Sequence, residues 1–191
     1  MNEFRELPTK AINDISIIQR PLARAEIRFD DPASEVFTDF EKQMPLMLEQ
    51  STTVDEAREL MKKSHEKLKL VIDSQESFRG IISLSDLLSH KVMSATEKTG
   101  LPRRDLSVAH VMTPRSVLHA IDTSDFANAR VGDVLATMKK YGDQHVLVVD
   151  MQQRCIRGIV SADEIARRMR IPNDISERAN SFSDIYTAVR G

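Results

Sequence analysis

The sequence predicts an α+β protein made of two tandem β-α-β-β-α repeats packed against each other, and three observations carry that prediction. The stretch FRGIISLSDLL at 78–88 returns as IRGIVSADEIA at 156–166. Met61 aligns with Met138, 77 positions on, and the same offset pairs Val54 with Val131, Lys62 and Lys63 with Lys139 and Lys140, Leu70 with Leu147, and Asp73 with Asp150. The offset slips only where turns belong, to 75 between VFT (36–38) and VMT (111–113), and to 78 between the Arg-Gly-Ile stretches at 79 and 157. Apolar elements held in register while length changes gather in turns are the mark of duplicated structure.

Each repeat reads in the same order. A short strand, PLML (45–48) or SVLHAI (116–121), leads into a helix. In the second copy Val131, Val134, Leu135 and Met138 form the i, i+3, i+4, i+7 stripe of a helix with one buried face. In the first copy Thr53 and Glu56 make a T-x-x-E capping box, with Val54, Ala57 and Met61 on the buried side. The paired lysines close each helix, where cations suit the carbonyl end. LKLVID (68–73) and HVLVVD (145–150) are β-branched runs too short for helices and suited to buried strands. After a polar turn, FRGII and CIRGIV return as neighbouring strands, and a second helix starts at Ser83 or Ser161. About 60 residues is marginal for a lone core, which is why the copies are expected to pack together.

Outside the repeats, LARAEIRF (22–29) alternates apolar and charged residues and predicts an added strand, while ERANSFSDIYTAVRG at the end predicts a Ser-capped helix. The divisions are an N-terminal extension 1–31, a first repeat 32–93, a linker 94–106 around Gly100 and Pro102, a second repeat 107–170 and a tail 171–191.

Composition narrows the function. Of 191 residues, 27 are basic and 29 acidic, so the net charge of −2 supplies no field for a polyanion and nucleic acid is a poor partner. No apolar run approaches the roughly 18 residues of a membrane span, and the N-terminus lacks a secretory apolar stretch. With a single cysteine, Cys155, no intrachain disulfide forms, and a reducing, cytoplasmic setting is expected. The six glycines cannot make a phosphate-binding G-x-x-x-x-G-K or G-x-G-x-x-G, no G-x-S-x-G occurs, and the five histidines show no helical metal spacing. Catalysis is therefore not expected, and no catalytic or metal-ligating residue is assigned.

VMTP (111–114), VLVVD (146–150) and GIVSADEI (158–165) resemble the second repeat of a cystathionine-β-synthase (CBS) domain pair, and VFTD, LKLVID and GIISLSDLL resemble the first. The similarity spans about residues 32–170. It implies a pseudo-twofold module of two repeats joined through their sheets, commonly a homodimer. It also implies a cleft for an adenosine ligand (AMP, ADP, ATP or S-adenosylmethionine), used to regulate a partner protein, with no obligatory cofactor. The nucleotide motif of that family falls on Gly80, Ile81, Ile82, Ser83 and Asp86. In the second copy it falls on Gly158, Ile159, Val160 and Ser161, but the acid is Glu164. The resemblance places Thr38 and Thr113 where a linker enters the cleft.

The chemistry is sensible, since a carboxylate can accept both vicinal ribose hydroxyls and a serine at a helix start can hold phosphate. Arg115 and His119, with the repeated Arg79 and Arg157, are candidates to meet the phosphate. The added methylene of Glu164 displaces its carboxylate, so the Asp86 side is expected to be the better site. Against this stands a plain structural reading: Ser-x-x-Asp and Ser-x-x-Glu are capping boxes in their own right, and Glu is the better residue for that job. Sequence also leaves open a ligand-free scaffold used only for dimerisation or for holding another protein.

Overall fold

The computed structural model describes residues 7–11, 13, 15–17 and 26–169. Two four-stranded sheets form the centre. Strands β1 (Phe37–Asp39), β2 (Met47–Glu49), β3 (Leu68–Ile72) and β4 (Phe78–Ser83) belong to the first half of the chain. Strands β5 (Thr113–Pro114), β6 (Ala120–Asp122), β7 (His145–Asp150) and β8 (Cys155–Ser161) belong to the second. The sheet orders are β2-β3-β4-β5 and β1-β8-β7-β6. Each repeat thus lends a short strand that precedes the predicted leading one, β1 or β5, to the edge of the other repeat's sheet, an exchange the repeat pattern did not reveal. The pairs β2–β3 and β6–β7 are parallel, joined by helical crossovers, and the rest are antiparallel.

Helices α1 (Val54–Lys63), α2 (Leu84–Leu88) and α3 (Lys91–Thr99) follow the first sheet, and α4 (Thr123–Phe126), α5 (Val131–Tyr141) and α6 (Ala162–Arg168) the second. On α1 the predicted stripe is the buried one: Val54, Ala57 and Met61 are fully buried. Burying a methionine side chain contributes about 1.5–3 kcal/mol. Thr53 accepts the Glu56 N–H at 3.2 Å, which is half of the predicted capping box, and Lys62 and Lys63 occupy the last turn, as expected. On α5, Val131, Val134, Leu135 and Met138 are buried, and Gly142 ends the helix in the left-handed conformation, φ 73°.

The two hairpins are duplicated down to their irregularities. Register shifts fall between Val71 and Ile72 and between Val148 and Val149, so that Arg79 and Arg157 are the extra, bulged residues. Glu76 and Arg154 sit at the same place in the two turns, with φ of 58° and 55°.

Each unit has its own core, and a third cluster lies between the sheets. That shared layer is built from Leu70, Ile81, Leu147 and Ile159, two pairs related by the repeat, flanked by partly buried Phe40, Leu118 and others. It explains how two small units with marginal separate cores hold together.

Three expectations are altered. Residues 26–29 do not form a strand: Ile27 instead plugs the second core, its N–H donating to the Arg168 carbonyl at 3.3 Å, with Phe29 packed beside it. The other half of the predicted strand, residues 22–25, lies outside the described residues. The leading strands are shorter than PLML and SVLHAI and lie toward their C-terminal ends, at 47–49 and 120–122. Helix α3 runs across the expected repeat–linker division between 93 and 94, up to Thr99, where Gly100 caps it with φ 71°. The predicted tail helix lies outside the described residues.

Candidate ligand site

The strand exchange assembles the predicted residues into two related clusters, each drawn from both repeats. In the first, Thr113 lies across from Ile81 and Pro114 across from Gly80. In the second, Thr38 lies across from Ile159 and Asp39 across from Gly158. The glycines make these approaches possible: a Cβ on Gly80 would stand 2.2 Å from the Thr113 carbonyl oxygen. Their close contact is thus with the other repeat's backbone.

Ser83 is the N-cap of α2 and is 9% exposed. Its Oγ accepts the Asp86 N–H at 3.0 Å and donates to Asp86 Oδ2 at 2.7 Å, and the Ser83 N–H donates to the same oxygen at 2.9 Å. Asp86 Oδ1 accepts Lys91 Nζ at 2.5 Å. The carboxylate is therefore held from both sides, by a complete capping box and by a lysine that sequence reasoning passed over; nothing in the motif singles out a cation five residues beyond Asp86.

The second copy differs, and corrects the expectation that it is the more cap-like. Ser161 makes no side-chain cap. Glu164 is gripped by Arg167 one turn on, with Nη2 to Oε1 at 2.7 Å and Nε to Oε2 at 3.0 Å. The longer side chain that favours Glu in a capping box also lets it reach an i+3 arginine. Across the strand from Ser161 stands His145, another residue the motif did not disclose. Its signal is a break in the repeat, for the position 77 residues earlier is Leu68. Burial holds the His145 imidazole below its usual range, against the opposing pull of Asp163, Asp86 and Asp143.

The expected phosphate-binding side chains are otherwise engaged. Arg79 turns back to Asp73, Nε to Oδ2 at 2.7 Å. Arg157 bonds Glu41 Oε2 at 2.6 Å and lies 3.5 Å from Asp39 Oδ1, which ties its hairpin to the exchanged strand. His119 Nδ1 bonds Asp143 Oδ2 at 2.6 Å and its ring stacks on Tyr141 at 4.1 Å. Arg115 opens an exposed turn after β5 and is not drawn into either cluster by a hydrogen bond or ion pair among the described residues. Among those residues no group of His, Cys, Asp or Glu could hold a metal ion, and no helix is long and apolar enough to cross a membrane.

Two β-α-β-β-α units that trade the short strands β1 and β5 across a common apolar layer define a duplicated module whose candidate sites need both copies. The family model described as CBS domain matches residues 36–92 and 108–171, and the chain belongs to that family. Among solved structures it is similar to an uncharacterized conserved protein from Pyrococcus horikoshii, with TM-score 0.54 and 24% identity over 75% of this chain and 96% of that one. It is also similar to a CBS domain protein of unknown function from Thermoplasma acidophilum (0.51, 20%, 81% and 77%). A hemolysin-like CBS-containing protein of Oenococcus oeni gives 0.51 and 15% over 74% and 92%. No curated protein matches the chain.

Proposed function

We propose that this CBS domain pair is a non-catalytic, cytoplasmic regulatory module that binds an adenosine nucleotide on the Asp86 side and passes the signal, as a homodimer, to a separate partner protein. The observation that carries the reading is the convergence of Thr113 from one repeat on the Gly80–Asp86 segment of the other. A ligand gripping both would fix how the repeats sit, and that is what a sensor has to report. In this reading Asp86 takes the ribose hydroxyls, Ser83 and Thr113 flank the sugar and phosphate, and Gly80 keeps the strands close. Thr38, Ser161 and Glu164 form the weaker second site, and Arg115 lies within a turn of Thr113.

The existing partners of Asp86 do not forbid this. Lys91 is 45% exposed, so its end of the ion pair is open to water and can leave, and the ribose hydroxyls replace it with hydrogen bonds to a charged group, worth about 1.5–3 kcal/mol. Ribose can displace the lysine from Oδ1 while Oδ2 keeps the cap. The same full satisfaction of Asp86 favours a second reading, a ligand-free dimerisation or interaction scaffold.

Thermal melts with AMP, ADP, ATP, S-adenosylmethionine and cyclic dinucleotides separate the two. A ligand at 100 times its Kd adds about 2.7 kcal/mol, or about 5–10 °C for a chain of this size. Asp86→Ala should remove that shift. A panel with no shift at all gives the scaffold reading the lead.

A further inference from the structure

Between α3 and the segment that enters β5 lies a cavity of about 300 Å³ whose polar wall holds two lysines, two imidazoles and a serine hydroxyl. His90, Lys91 and Lys98 come from the helix and its start, with the Ser94 hydroxyl among them, and His110 faces them from the short turn Val108–His110. Lys91, Ser94 and Lys98 share one face because the helical period brings positions three, four and seven apart into line. His110 Nδ1 accepts the Ser107 N–H at 3.1 Å, which leaves its Nε2 as the N–H donor of the neutral ring. No acidic side chain lines the hollow. Lys91 pairs with Asp86, and Lys98 and His90 have no ion-pair partner among the described residues.

The two lysines around one hollow repel each other, and Lys91 stands at the positive end of α3, whose first turn holds no acid. Local choices that oppose the fold's own electrostatics are the mark of a site with a missing counter-charge. The volume is at the lower limit of small-molecule pockets, about 300–1,000 Å³, which suits a compact anion. We propose that this cavity binds a di- or triphosphate group, with Lys91, Lys98, His90 and His110 as its donors. The assignment does not depend on the nucleotide reading above. It does touch it, because an anion that draws Lys91 away from Asp86 exposes Oδ1, so the two sites are coupled through one side chain.

The test is a phosphorus NMR titration of pyrophosphate against the full chain at fixed ionic strength. A saturable shift is expected, weakened about tenfold or more by Lys98→Glu, the scale of a lost charge-assisted bond. Lys98 is exposed, so the variant should melt like the parent. Lys62→Glu, an equal charge change on α1, should leave the titration as it was. Absence of a saturable shift in the parent protein, retention of full affinity in Lys98→Glu, or an equal loss in Lys62→Glu would overturn the assignment. Competition identifies the source of the phosphate. If ADP displaces pyrophosphate, the pocket takes a nucleotide's phosphate tail; if it does not, the pocket takes the free anion. Adenosine, which carries no phosphate, tests the Asp86 site alone, so the two proposals can fail separately.

Discussion

Gly158 lies so close to Thr38 that a Cβ at the glycine would stand 2.1 Å from the threonine's carbonyl oxygen and 2.3 Å from the Phe37 ring. The oxygen belongs to the backbone of β1 and cannot swing aside, so any side chain at 158 must push the exchanged strand off the second sheet. Gly158→Ala should destabilise the protein by about 1–3 kcal/mol, the usual cost of overpacking, read as a lower urea midpoint. Gly80→Ala, facing Thr113, should behave alike. An unchanged midpoint for both would mean the exchanged strands contribute little to holding the repeats together.

The two helix starts predict an asymmetry that the nearly identical motifs conceal. Ser83 completes a reciprocal cap with Asp86, while Ser161 caps nothing with its side chain. Ser83→Ala should cost about 0.5–2 kcal/mol in the absence of any ligand, and Ser161→Ala should fall within about 0.5 kcal/mol of the parent. Equal losses in chemical denaturation would show that the second serine caps its helix in solution.

How much of this was legible in the sequence depends on the range of the interaction. Local periodicities were legible: the α1 stripe of Val54, Ala57 and Met61, the α5 stripe ending at Met138, the hairpins and the Ser83 cap all follow from residues within a few positions of each other. The repeated Arg-Gly pair was legible as a repeat but not as a cause. Arg79 and Arg157 recur because they are the bulged residues of two matched hairpins, and Gly80 and Gly158 recur because a strand from the other repeat crosses there. The crossing at Gly80 joins it to Pro114, 34 residues on, and the one at Gly158 joins it to Asp39, 119 residues back, and no local pattern reaches that far. Lys91 and His145 escaped for different reasons: Lys91 is only five residues beyond Asp86, but no motif marks a cation at that spacing, whereas His145 faces Ser161 across the strand and its only hint was standing where the first repeat has Leu68.

Asp73 anchors the first hairpin turn. The Ser77 and Gln75 amides donate to its Oδ1 at 2.9 Å each, and Arg79 binds its Oδ2. The Ser77 amide above all, with Gln75 and Arg79, outweighs the opposing effect of burial and holds the carboxyl below the ordinary carboxylate range. A lowered folded pKa means stability that is complete above the unfolded value of about 3.9 and is lost as pH falls through the folded one. Asp73→Asn should therefore lower Tm at pH 7, and the gap to the parent should close once the pH drops well below 4. A gap that stays constant across that range would exclude the charge of Asp73 as its source.

His145 also loses stability in acid, but in a higher pH window and because of burial rather than hydrogen bonding. Burial lowers its folded pKa despite the nearby carboxylates of Asp163, Asp86 and Asp143, so in acid the unfolded chain takes up the proton first. Stability then falls as pH drops through the unfolded value of about 6.5, and the loss stops only when the folded imidazole also protonates. The first repeat places Leu68 at the equivalent strand position, next to the same shared apolar layer, which shows that an aliphatic side chain suits the site. His145→Leu should remove that part of the slope, so that the variant gains stability relative to the parent between pH 7 and pH 5 whatever its absolute Tm. If burial of a neutral ring is the cause, the two melting curves diverge steadily across this window. Parallel curves would place the folded His145 pKa at its unfolded value and leave the ring with no acid-sensitive role in the junction between the repeats.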